Sequence, residues 1–204
     1  MKYTLLEGIM ALKHALTTLT EEEYLAGEEI SEIKHEYIDG EIYAITGVSK
    51  NHERISGNFF VRLHGHLENS SCEPFSSDVK VKVGKDFFYP DAMVVCDDQA
   101  DHDYYTETPT VIIEVLSKST RRYDMTIKRL AYQSISTLQE YILIEQDFVD
   151  VEVCRKNEDW QSKHYFLGGE FTLNSIGITL KVDDLYQRVK NEDVSDYLKA
   201  KTMK

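Results

Sequence analysis

Between Asn51 and Leu67 the apolar residues Ile55, Phe59, Phe60, Leu63 and Leu67 recur every three or four positions. That spacing lines one face of an amphipathic helix. Further on, Val79, Val81 and Val83 alternate with Lys80 and Lys82, which predicts a half-exposed strand. Phe88 to Cys96 (FYPDAMVVC) and Thr110 to Leu116 (TVIIEVL) are nearly continuous apolar runs, suited to central strands buried on both faces. A polar stretch, Ser117 to Arg122, leads into a helix over about Tyr123 to Ser134. Strands follow near Glu140 to Glu145, Val149 to Arg155 and Trp160 to Leu167, and Leu180 to Val189 reads as a strand with a closing helical turn.

Upstream, Thr20 and Glu23 form a capping box that starts a short helix ending near Gly27. Asp39-Gly40 then punctuates Tyr37 to Ile45 as a hairpin. At the start of the chain, Leu5, Ile9, Leu12, Leu16 and Leu19 share one helical face, while Glu7, Lys13 and His14 interrupt any signal-peptide core. That helix must cover its apolar face, and a second copy of the chain in a homodimer is one candidate. Strands, a crossover helix and more strands predict an α/β domain with a mixed central sheet flanked by helices, plus the N-terminal helix. The expected segments are 1–18 (N-terminal amphipathic helix), 19–190 (the domain) and 191–204 (C-terminal tail).

With 204 residues and 42% hydrophobic content, the chain can bury one good core without staples. Cys72, Cys96 and Cys154 are odd in number and form no CxxC pair, which argues against a disulfide framework and a zinc knuckle. Cys96 and Cys154 read as buried free thiols, and a reducing, cytoplasmic setting fits. No stretch approaches the roughly 18 apolar residues of a membrane span. The net charge of −13 weighs against tight binding of long duplex DNA by a single subunit, because polyanion binding draws on clustered Lys and Arg. Acidic metal ligands, however, count toward that total until cations fill them.

Two acids stand where acids are costly. Asp91 precedes Ala92-Met93-Val94-Val95, and Glu114 lies inside VIIEVL. A carboxylate in a buried run needs a partner, since uncompensated burial costs several kcal/mol. If both strands are central neighbours, the two acids converge at one sheet edge and suit Mg²⁺, which takes one or two protein carboxylates. The alternative is that each acid pairs with a Lys or Arg. On the helix that follows, Asp124 and Lys128 are four apart and share a face with Tyr132. A surface ion pair is the plain reading. Beside a metal-activated water, Lys128 could instead orient the nucleophile and offset charge on a phosphate oxygen.

From Leu19 to about Leu185 the chain resembles the Uma2 family, restriction-endonuclease-like proteins with the PD-(D/E)XK nuclease fold. The matching pieces are LTEEEYL, HEYIDGEIY, YPDAMVV, IIEVLSKST, RYDMTIKRLAYQS and QEYILI, in that order. The resemblance implies that Asp91 and Glu114 are the two motif acids. Leu116 occupies the place of the usual lysine, whose counterpart in this family is Lys128 on the following helix. It implies a metal set of Asp91, Glu114, the Val115 carbonyl and Glu36, with Mg²⁺ as cofactor and Mn²⁺ as a substitute. Ser117, Tyr132, His52 and Asp124 would be accessory. Plainer readings are a solvated acid for Glu36, a turn hydroxyl for Ser117 and a structural His52. Lys118 stands where the family often has proline, and Glu145-Gln146-Asp147 departs from the usual end of the following strand.

The resemblance implies a Mg²⁺-dependent endonuclease acting on DNA. A second expectation is a nuclease-fold binding or assembly module with little catalysis, motivated by the charge and the N-terminal helix. A two-carboxylate glycosidase ranks last, because Trp160 alone offers indole stacking.

Overall fold

The structure, a computed structural model, describes residues 19–97 and 102–202. The helix expected over 1–18 lies outside them. The chain divides into two units, with the boundary between Ile45 and Thr46.

In the first unit, α1 (Glu21–Glu28) begins as the capping box requires. Thr20 Oγ1 accepts from the Glu23 N–H, and the Glu23 carboxylate accepts from the Thr20 N–H. β1 (His35–Ile38) and β2 (Glu41–Ala44) pair antiparallel around Asp39-Gly40. Both turn residues have positive φ, 50° and 85°, as a two-residue turn matching strand twist demands. Tyr24 stacks on Tyr37 at 5.0 Å, and its hydroxyl donates to the His35 carbonyl, tying α1 to the hairpin.

The second unit is built around a six-stranded sheet in the order β11-β10-β9-β8-β6-β3. Its strands are β3 (Cys72–Ser76), β6 (Ala92–Cys96), β8 (Pro109–Leu116), β9 (Glu140–Glu145), β10 (Val151–Arg155) and β11 (Ser162–Tyr165). β8 and β9 run parallel, and the other pairs in this sheet are antiparallel. The sheet is therefore mixed, as expected. α2 (Lys50–Leu67) lays Ile55, Phe59, Leu63 and Leu67 on one face, against Ala92, Val94, Val111, Ile113, Val115, Ile142 and Ile144. Residues of opposite parity, Glu114 and Tyr141, face a second helical segment that crosses over between β8 and β9. This segment comprises α3 (Arg121–Tyr123), a π-helical turn (Asp124–Lys128) and α4 (Arg129–Gln133). β4 (Lys80–Val83) pairs antiparallel with β5 (Asp86–Phe88) and parallel with β7 (Tyr105–Thr106). β12 (Glu170–Leu173) and β13 (Ile178–Lys181) make a hairpin, followed by α5 (Val182–Leu185).

Several expectations need correction. The run from Phe88 to Cys96 is two strands in different sheets, broken at Tyr89-Pro90-Asp91, because proline offers no N–H to a ladder. Lys80 is buried rather than half-exposed, with its ammonium 3.3 Å from the Tyr89 hydroxyl and over the Tyr89 and Tyr104 rings. Cys72 and Cys96 face each other across β3 and β6 and are disulfide-bonded, against the expectation of no disulfide and of a free Cys96. Spacing along the chain does not reveal that strand register sets them opposite. Cys154 is free and buried, as expected. The stretch set apart as a tail is helical from Glu192 to Thr202 (α6), and Asp193 there accepts the Val149 N–H. No described helix is long and apolar enough to cross a membrane.

Candidate active site

The candidate residues gather where β6 begins and β8 ends. Continuing the β6–β8 register by one residue from Ala92↔Ile113 sets Asp91 opposite Glu114. Asp91 stands just ahead of β6, and its Oδ2 accepts the Val115 N–H at 2.7 Å. The same oxygen meets His52 Nε2 at 3.2 Å, reaching in from the first turn of α2. Oδ1 takes no partner among the described residues. The Asp91 side chain keeps 18% of its exposure, so the expectation that water cannot reach this acid is corrected.

Glu114 is the deeper acid, 3% exposed. Its Oε1 accepts from Lys128 Nζ at 3.1 Å and from the Tyr132 hydroxyl at 3.0 Å. Lys128 Nζ also lies 3.5 Å from Asp124 Oδ1. Asp124 and Lys128 are both buried, so the plain reading of a surface ion pair does not hold. Lys128 thus bridges two buried carboxylates, Glu114 and Asp124. Its placement depends on the π-helical turn, a rare widening of the helix that is frequent at functional sites. Tyr141 donates to the Asp124 carbonyl at 3.1 Å and packs edge-on against Tyr132, anchoring that turn to β9.

His52 is the N3 residue of α2, its N–H accepted by the Ser49 hydroxyl that caps the helix. Burial works against protonating its imidazole. The hydrogen bond to Asp91 and the charges of Asp91, Glu53 and Asp124 outweigh burial and hold its pKa above the usual histidine value. Its Nδ1 is buried without a hydrogen-bond partner among the described residues.

Ser117 sits in the turn after β8, where its hydroxyl accepts the Thr120 N–H and meets the Ser119 and Thr120 hydroxyls. That is the work of a turn hydroxyl. Glu36 lies on β1, in the first unit, where it is buried. Asp91, Glu114, Val115, Asp124, Lys128, Tyr132 and His52 are thus brought together. Beyond the predicted set, Glu145 ends β9 beside Leu116 and pairs with Arg121. Burial outweighs the Arg121 charge and pushes the Glu145 carboxyl up to about 7. Only the departure at Glu145-Gln146-Asp147 drew notice to it in the sequence.

The donor set fits a hard divalent cation. It consists of oxygens: Asp91 Oδ1, the Glu114 carboxylate, and the Val115 carbonyl, which an extended residue directs to the same side as its N–H. Among the described residues no three His, Cys, Asp or Glu side chains cluster as ligands, which excludes a dense all-protein cage there. Mg²⁺ needs no such cage, because water completes its coordination.

The model of the Uma2 family, described as "Putative restriction endonuclease", matches residues 21–183. The chain belongs to the Uma2 family. Two uncharacterized proteins of Synechocystis sp. (strain ATCC 27184 / PCC 6803 / Kazusa) are similar to this Uma2 chain. One is 37% identical over 175 residues, covering 83% of this chain and 92% of its own. The other is 38% identical over 148 residues, covering 70% and 84%. A crystal structure described as a "putative nuclease belonging to DUF820" from Anabaena variabilis ATCC 29413 aligns with a TM-score of 0.70 at 18% identity, covering 84% of this chain and 99% of that one. At that identity the likeness shows the fold: a mixed α/β nuclease-like core.

Proposed function

We propose that this Uma2 protein is a Mg²⁺-dependent endonuclease that hydrolyses DNA phosphodiester bonds, with Mn²⁺ able to substitute. The observation that carries the reading is the Val115 N–H on Asp91 Oδ2, which locks one acid beside the strand end bearing the other and leaves Oδ1 over. Asp91, Glu114 and the Val115 carbonyl would hold the ion. Bound there, Mg²⁺ supplies Lewis acidity and lowers the pKa of water, so no Ser, Cys or His nucleophile is needed. Lys128 balances the buried charge of Glu114 and Asp124 and offers its ammonium to a phosphate oxygen. Tyr132 fixes the Glu114 rotamer through Oε1. Work as a homodimer belongs to the same proposal. The Cys72–Cys96 disulfide weighs against a strongly reducing setting.

Asp91→Asn keeps the shape and removes the charge. We expect it to abolish Mg²⁺-dependent cleavage of DNA with the circular dichroism spectrum unchanged, and undiminished cleavage would overturn the assignment. A second reading, a binding or assembly module without catalysis, is favoured by the Lys128–Glu114 pair, which neutralises that acid without a cation. Calorimetric titration with Mn²⁺ decides: heat that vanishes in Asp91→Asn supports the enzyme, and no heat from the wild type supports the module.

A further inference from the structure

Asp91 Oδ2 receives two groups from different elements. Val115 N–H comes from the central strand at 2.7 Å, and His52 Nε2 comes from α2 at 3.2 Å. A carboxylate held on one oxygen by both has little freedom to rotate, and its second oxygen takes no partner among the described residues. His52 is itself held. Its backbone N–H is capped by Ser49 Oγ at 3.1 Å, it is 6% exposed, and α2 packs its apolar face on the sheet. Its Nδ1 has no partner among the described residues, and the ring's polar contact is that of Nε2 with Asp91 Oδ2 at 3.2 Å. The N-terminal end of α2, where His52 sits, lies at the same place.

We infer that His52 is a positioning residue for Asp91: with Nε2 as donor it clamps Oδ2 against the Val115 N–H, so that Oδ1 is the atom presented to the cation. This rests on the reading of the site as a cation site. Hydrogen-bond partners of metal-ligating carboxylates typically change metal affinity 10- to 100-fold when removed. His52→Leu fills the space without a donor, whereas His52→Gln keeps an amide N–H at a similar reach.

Three measurements on the full chain test the inference. Long-range nitrogen–proton spectra of the cation-free protein should show His52 Nε2 protonated; a bare Nε2 overturns it. Calorimetric titration with Mn²⁺ should give affinity at least about 10-fold weaker in His52→Leu, with most of the loss recovered in His52→Gln. Equal affinity in His52→Leu and the wild type, or no recovery by glutamine, overturns it. Thermal unfolding of both variants reports whether they fold, and the glutamine variant keeps the test valid if leucine is not tolerated. If the wild type binds no Mn²⁺, the reading of the site fails and takes this inference with it. That outcome is distinguishable, because wild type and variants are then equally silent.

Discussion

Glu140 and Asp91 lie at opposite ends of the central strands, and their oxygens are used differently. Glu140, at the start of β9, accepts from Arg155 Nε at 3.2 Å and from the Asn174 and Ser175 N–H groups at 2.9 and 3.1 Å. It also accepts from the Ser175 hydroxyl at 2.6 Å. Both of its oxygens are occupied, and together these bonds fasten the β12–β13 turn to the sheet. Asp91, near the end of β8, has one oxygen doubly engaged and the other without a partner among the described residues. Burial alone therefore does not mark a functional acid. Glu140 is the more buried of the two, and its surroundings leave it nothing further to bind.

The contrast predicts separable losses. Glu140→Ala removes one of the two carboxylates paired with Arg155 and leaves the Asn174 and Ser175 N–H groups without their acceptor, and should cost about 3–5 kcal/mol in denaturant unfolding, with Mn²⁺ affinity of the remaining folded protein unchanged. A loss of Mn²⁺ binding there would erase the distinction. Asp91→Asn should do the reverse, removing binding while shifting stability far less. Next in size is the disulfide. Closing a loop of sequence separation 24, it should contribute about 3 kcal/mol, measured as the difference between wild type and a Cys72→Ser/Cys96→Ser double variant.

The smallest expected effect is at Glu145, at the same end of β8 as Asp91. Its folded pKa of about 7 exceeds the ordinary 4.5, so the folded protein keeps a proton that the unfolded chain releases. The contribution is fully present below about pH 4.5 and is lost as pH rises through 7. Glu145→Gln should flatten the stability–pH curve across that window. An unchanged slope would show that Arg121 holds the carboxylate ionised.

Much of this was legible in residue order. The α2 stripe, the Thr20–Glu23 box, the Asp39-Gly40 turn and the buried run around Glu114 each carry a local signal, and each element formed where that signal lies. What stayed hidden depends on partners. Cys72 meets Cys96, and β3 forms at all, through pairing with β6, which no local period encodes. Lys80 looked solvent-facing by alternation, yet two tyrosine rings cover it. At the site, Asp91 and Glu114 announced themselves as acids in apolar company. The contact of His52 with Asp91 is made by a helix that arrives from the other side of the sheet, and its sequence neighbours give no hint of it. The π-helical turn has no composition cue either.

That turn bears on how the protein can change. The crossover segment is pinned at one end by Tyr141 on the Asp124 carbonyl and at the other by Tyr132 on Glu114. Removing one residue between them would restore regular pitch and swing everything downstream by about 100° around the helix axis. Lys128 and Tyr132 would then turn away from Glu114 together. Point substitutions can be absorbed in this segment more readily than a change in its length, and an engineer grafting it should count residues before choosing them.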